Sequence, residues 1–284
     1  MLAPAVCRRA LSLLLLLCLV GCAASAEPPR AVDPMFGLGD RESFSFRSDR
    51  LDRDFHVLVR LPRSYGEGDR DYPMVFLLDG GILFPMLSPF QLMMEVEGSA
   101  DEVILVGISY GGLGFSNGNL RGTDYTAASP EIEYFGGAAD FAAFLGEQLL
   151  PELRARYRID AERRVLLGQS LGGQFAIFGA LTRPELFSTW VAVNPAIHAN
   201  LAMFLELAAQ PDAPPTELVL ALGSDDTPRY RDAAVDWLSA RRADPDPGVA
   251  LKLIELPGAH HATSAPAAYF AVVRRIAPAP AEAD

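Results

Sequence analysis

Two serines of this chain sit in the pattern Gly-x-Ser-x-Gly: Ser109 in Gly107-Ile108-Ser109-Tyr110-Gly111, and Ser170 in Gly168-Gln169-Ser170-Leu171-Gly172, followed by Gly173. The pattern activates a hydroxyl only where a strand turns sharply into a helix. Small residues two before and two after the serine then let strand and helix approach while its hydroxyl stays exposed. The residues after Ser109, YGGLGFSNGNLRG, cannot continue as a helix, whereas those after Ser170, LGGQFAIFGALTRP, can. Ser170 is therefore the expected nucleophile, and Ser109 is expected to end a strand at the rim of the site.

A serine nucleophile needs a base to take its proton and a third group to orient that base. Asp225 and Asp226 follow the strand-like run Leu218 to Leu222, and His260 and His261 follow the run Leu251 to Leu256. Chain position alone leaves both members of each pair open, and the two acids also suit a solvated turn or helix cap. The order Ser, acid, His, each on a loop after a strand, is that of an alpha/beta-hydrolase. His56 lies on an early strand and reads as structural, and His198, on a loop, as a residue that could line a pocket. For an oxyanion, the Leu171 N–H would stand at the positive end of the helix that follows Ser170.

Alternating strands and helices would position these groups. Phe55 to Leu61 alternates like a strand with one wet face, whereas Pro73 to Leu78 and Val103 to Ile108 are continuous apolar runs, as suits strands covered on both faces. Short strands are also expected at Val165 to Leu167 and Trp190 to Val193. Helical spacing is found over Ala138 to Tyr157, where Pro151 should bend or divide the helix, and over 171–181, 201–209, 230–241 and 266–276. The expected architecture is α/β: one mostly parallel sheet with helices on both faces, in a single domain over residues 41–278, with a disordered tail at 279–284.

Composition limits the partners. The chain carries 24 basic and 36 acidic residues, a net charge of −12, with no basic run, which opposes binding to phosphate backbones and so to nucleic acid. Half of it is hydrophobic and 21% charged, ordinary for a globular protein. Lys252, in a strand-like run, is the sole lysine, so a lysine nucleophile is excluded. At the N-terminus Arg8 and Arg9 precede an apolar run, Leu11 to Val20, that rises only about 15 Å as a helix, half a bilayer core. It reads as an export signal, and Leu19-Val20-Gly21-Cys22 looks like the lipobox of bacterial lipoproteins. Residues 1–21 are thus the expected signal peptide, and Cys22 the expected lipidation site. Residues 22–40 read as lipidated Cys and tether, and the outer membrane as the expected destination. With Cys7 and Cys18 lost and Cys22 acylated, no free thiol remains for a disulfide, a thiolate metal site or a Cys nucleophile. The four histidines lack zinc-site spacing. Neither a metal nor another cofactor is expected.

From about residue 43 to 277 the chain resembles the putative esterase family of the alpha/beta-hydrolase superfamily, which includes esterase D-like enzymes, feruloyl esterases and siderophore esterases. The matching stretches are VFLLDGG (75–81), RGTDYT (121–126), EQLLPELRARY (147–157), VLLGQSLGGQFAIFGAL (165–181) and HATSAPAAY (261–269). The resemblance implies Ser170 as nucleophile, Asp226 rather than Asp225 as acid, and His261 rather than His260 as base. It implies a second oxyanion donor at Gly80 or Gly81, in the family's Asp-Gly turn. Arg121 and Asp124 match its Arg-x-x-Asp motif, which is either a structural ion pair or a substrate contact. Asn194-Pro195-Ala196 stands where Ser-Pro-Ser is common, at an expected pocket wall. Tyr110, Arg121 and Asn194 are the candidate substrate contacts. The expected activity is hydrolysis of small-molecule carboxylic esters through an acyl-enzyme. Hydrolysis of a siderophore trilactone of the enterochelin type, acyl transfer to another acceptor, and a noncatalytic envelope binding protein on the same fold are the alternatives.

Overall fold

The computed structural model describes residues 41–278 apart from Leu113 and the Phe115 side chain. The expected signal, Cys22, the tether and the tail lie outside the described residues. Eight strands form one sheet: β1 (Arg41–Ser48), β2 (Arg53–Arg60), β3 (Tyr72–Leu77), β4 (Ile104–Ser109), β5 (Ile159–Gln169), β6 (Thr189–Val193), β7 (Thr216–Gly223) and β8 (Val249–Leu256). Their order is β1-β2-β4-β3-β5-β6-β7-β8, and only the β1–β2 and β2–β4 pairs are antiparallel. The mostly parallel α/β sheet read from the sequence is the observed one.

The helices are α1 (Gly80–Glu97), α2 (Arg121–Asp124), α3 (Ala138–Phe144), α4 (Leu150–Arg156), α5 (Leu171–Thr182), α6 (Leu201–Glu206), α7 (Pro228–Ala243) and α8 (Ser264–Ile276). Every residue of β3 and β6 is buried, as their apolar runs predict, while the outer strand β8 alternates. One apolar cluster packs α3, α5 and α7 on one face of the sheet, and a second packs α1 and α8 on the other.

The structure departs most from the sequence reading at three places. Strand β1 (RESFSFRS) is not assigned from sequence. Its Phe44 and Phe46 pack on the core between polar residues, a pattern visible only once β2 is there to pair with it. Helix α1 is missed too, because Pro85 and Pro89 lie inside it and its apolar residues do not gather on the buried face. Between α3 and α4, Leu145–Leu149 forms one turn of π-helix just before Pro151, which lacks the N–H a regular ladder would need. Pro151 thus divides the expected helix by a widened turn within an unbroken run.

Candidate active site

Strand β5 ends at Gln169 and α5 begins at Leu171, so the chain reverses within one residue. Ser170 holds φ 60°, ψ −115°, a conformation L-residues rarely adopt. The flanking glycines are required by contact: a Cβ on Gly168 would lie 2.2 Å from the Gly172 carbonyl oxygen, and one on Gly173 2.9 Å from that of Val193. The Ser170 N–H donates to Val193 O at 2.9 Å, which ties the turn to β6.

Parallel pairing then fixes the partners. The ends of β7 and β8 lie side by side, Gly223 opposite Leu256, so the turns after them are neighbours. The Ser170 hydroxyl is 3.0 Å from His261 Nε2, and His261 Nδ1 is 3.0 and 3.1 Å from the two Asp226 oxygens. An ionised carboxylate only accepts, so the tautomer that satisfies all three carries its proton on Nδ1 and leaves Nε2 to accept from Ser170. Asp226 is 7% exposed and also accepts the Thr227 N–H at 2.7 Å. Asp225 and His260 are turned away: His260 Nδ1 contacts the Asp225 carbonyl, and Asp225 accepts the Ser224 hydroxyl, both at exposed positions. Tyr230 of α7 stacks on the His261 ring, centroids 4.3 Å apart, with His198 edge-on to Tyr230. Burial, with Arg229 nearby, holds the His198 pKa below its usual value.

Ser109 is the last residue of β4, no helix follows it, and its hydroxyl accepts the Gly111 N–H at 3.1 Å. Leu171, Gly80 and Gly81 are the first residues of α5 and α1, so their N–H groups have no acceptor within the helix and stand at positive helix ends. Gly80 is pressed onto β4, where a Cβ would lie 2.6 Å from the Gly107 carbonyl carbon. Gly81 is exposed beside Ser109. A cleft of about 300 Å³ opens over Ser170, lined by Asp79, Ile82, Leu83, Asn119, Arg121 and Gln169.

Three sequence-based expectations change. Arg121 and Asp124 do not pair with each other. Arg121 makes a bidentate pair with Asp79, at 2.6 and 2.7 Å, on the cleft wall. Asp124 is buried and takes Arg53 and the Tyr110 hydroxyl, both at 2.8 Å. Burial pushes its carboxyl pKa up against those two partners. Tyr110, 8% exposed, has its hydroxyl committed to this buried network and lines a small hollow with Gly81 and Ser109 beside the cleft rather than the cleft over Ser170 itself.

Asn194 is not a pocket wall. It is buried at φ 40°, accepts the Gly223 N–H at 2.8 Å and donates to Ser264 Oγ at 2.8 Å, with the His260 and His261 carbonyls at 3.5 and 3.4 Å. One side chain thus joins the start of the acid turn to the histidine loop, and Gln169 Nε2 adds a bond to the His261 carbonyl. Only an extended-to-left-handed reversal after β6 turns the amide inward, which the sequence signals weakly, through an Asn before a Pro. Asn194→Gly keeps the backbone conformation and loses the bonds. Its kcat is expected to fall about 10- to 100-fold with KM little changed, read by steady-state ester hydrolysis.

An eight-stranded, mostly parallel sheet carrying a serine on a strand-to-helix elbow, with a histidine and an acid on later loops, is the alpha/beta-hydrolase fold with the constellation of a serine hydrolase. A family profile described as "Putative esterase" matches residues 48–245, and the chain belongs to that family. It is 30% identical over 172 residues to the ferri-bacillibactin esterase BesA of Bacillus subtilis, covering 54% of this chain and 57% of BesA. It is 27% identical over 223 residues to the siderophore triacetylfusarinine C esterase of Aspergillus fumigatus, covering 72% and 75% of the two chains. The fold superposes on an IroE-like serine hydrolase from Shewanella oneidensis with TM-score 0.72 at 19% identity, covering 83% of this chain and 79% of that one. The chain spans little more than half the length of BesA.

Proposed function

We propose that the protein is a serine carboxylic-ester hydrolase that works through an acyl-enzyme. The observation that carries this is the hydrogen-bonded series Ser170, His261, Asp226 at the mouth of a cleft. The Ser170 proton passes to His261 Nε2 as Oγ bonds to the ester carbonyl carbon, and Asp226 holds the Nδ1 proton of the imidazolium. Negative charge on the carbonyl oxygen is met by the Leu171 N–H and by that of Gly80 or Gly81. The alcohol leaves with the proton from His261, and water repeats the sequence to free the acid. Arg121 on the cleft wall is the substrate contact in this reading.

Siderophore polyesters are the favoured substrates within this class, because the relatives named above are esterases of ferri-bacillibactin and triacetylfusarinine C. Rates on aryl, feruloyl, short-chain and siderophore lactone esters test the assignment, with Ser170→Ala as the control. Preference for the lactone supports it, and equal rates for parent and Ser170→Ala contradict hydrolysis at this serine. Release of acyl product only when an added alcohol or amine is present would instead mark acyl transfer.

The proposed location is the periplasmic face of a bacterial outer membrane, held by acyl chains on Cys22. The reading rests on the lipobox-like Leu19-Val20-Gly21-Cys22. After loss of residues 1–21 the chain has 22 basic and 36 acidic residues, net −14, so anionic lipids offer no electrostatic hold. Cys22→Ala is expected to move the protein to the soluble fraction, and continued sedimentation with membranes would contradict acyl anchoring.

A further inference from the structure

Helix α1 is apolar on both faces: Leu83, Phe84, Leu87 and Met94 are buried in the core, and a second apolar stripe faces outward. Its polar residues Ser88, Gln91 and Glu95 are turned to the interior: Gln91 bonds Tyr269 and the Asp101 carbonyl, and Glu95 pairs with Arg60. Its outward face carries Ile82, Met86, Phe90, Met93 and Val96, of which Met93 and Val96 are 54% and 57% exposed. No exposed residue of the helix is charged before Glu97 at its end. Surface helices place polar residues outward, and contiguous exposed apolar patches mark contact surfaces. The stripe runs about 21 Å along the helix axis. Phe270 of α8 widens it, packing on Phe90 with centroids 5.9 Å apart, and the Arg274 guanidinium lies over Phe270.

We propose that this α1–α8 face rests on a lipid bilayer, with the stripe in the acyl boundary and Arg274 at headgroup level. The inference rests on the proposed Cys22 anchor. Only residues 23–40 separate that cysteine from β1, so an acylated protein is held near the membrane at high effective concentration. No described helix is long and apolar enough to cross a membrane, so α1 lies on the surface. A net charge of −14 leaves apolar contact as the source of adhesion. Ile82, the N-terminal member of the stripe, also lines the cleft over Ser170, so docking sets the cleft mouth at the bilayer surface. Esters that partition into lipid would then reach Ser170 without crossing water.

The test uses the full mature chain reconstituted in vesicles of phosphatidylethanolamine and brominated phosphatidylcholine. A fluorophore is placed at Met93→Cys or, separately, at Ser239→Cys on α7, whose helix packs on the opposite face of the sheet. With Cys22 acylated, the introduced cysteine is the sole free thiol. At position 93 the brominated chains should quench emission roughly twofold or more, and at position 239 scarcely at all. Absence of quenching at 93 in a chain that sediments with the vesicles overturns the proposal and leaves the anchor standing. Emission at 93 that follows protein concentration rather than lipid means a second copy covers the stripe, which also overturns it. A soluble parent chain that takes up dye at Cys22 contradicts the anchor instead, and vesicles added to that chain still read the stripe by the same quenching.

Discussion

Ser170→Ala is expected to lower kcat by at least about 10⁴-fold while the protein stays folded, because the residual rate comes only from the oxyanion donors and binding. The structure makes the loss specific to the hydroxyl. His261 and Asp226 hold one another without it, at 3.0 Å, and Asn194 and Gln169 hold the His261 backbone. A second substitution separates chemistry from strain. Ser170→Gly removes the same hydroxyl and relieves a φ of 60° that costs a residue with a Cβ about 1–3 kcal/mol. Its melting temperature is expected to exceed that of Ser170→Ala by about 2 to 12 °C, at equal loss of activity. Rates on an aryl ester and thermal unfolding of the two variants check both parts.

The largest effect on stability is expected at Arg60. Its guanidinium makes two bonds to Glu95, at 2.9 and 2.5 Å, and both side chains are 1% exposed. Replacement by methionine fills the space but leaves the carboxylate of Glu95 buried with the Gln91 amide at 2.8 Å as its remaining partner. Breaking one side of such a pair costs about 3–5 kcal/mol, whereas replacing both sides by apolar residues is often neutral. Arg60→Met should therefore lower the unfolding free energy by about that amount, and Arg60→Met combined with Glu95→Leu should recover most of it. Urea unfolding of the two single variants and the double variant measures the coupling. Additive losses would mean the pair acts as two independent polar groups. The same pair adds to the burial of Leu83, Phe84, Leu87 and Met94 in fixing the interior face of α1, which leaves its other apolar residues outward.

The parts of the molecule legible in its sequence are those where one local pattern dominates. Buried parallel strands such as β3 and β6 are continuous apolar runs, and the Ser170 elbow carries glycines whose absent side chains the backbone needs. Only the family resemblance separates Asp226 and His261 from their neighbours Asp225 and His260, since adjacent residues share one loop and orientation is set by tertiary packing. Helix α1 is illegible for the opposite reason. Its prolines and the apolar residues on both its faces contradict local rules, and packing on the sheet with a buried ion pair to β2, thirty-five residues upstream, overrides them. The sequence marks Asn194 and Arg121 but not their neighbours in space. The family's Arg-x-x-Asp motif suggests Asp124 for Arg121, while the sheet delivers Asp79 from the end of β3.

The central claim is that Ser170 is the nucleophile, and covalent capture tests it most directly. A fluorophosphonate reacts with an activated serine hydroxyl, and mass spectrometry of the digested adduct locates the modified residue. The adduct is expected on the peptide containing Gly168-Gln169-Ser170-Leu171-Gly172, and it should vanish in Ser170→Ala. An adduct that persists in Ser170→Ala and disappears in Ser109→Ala would contradict the account.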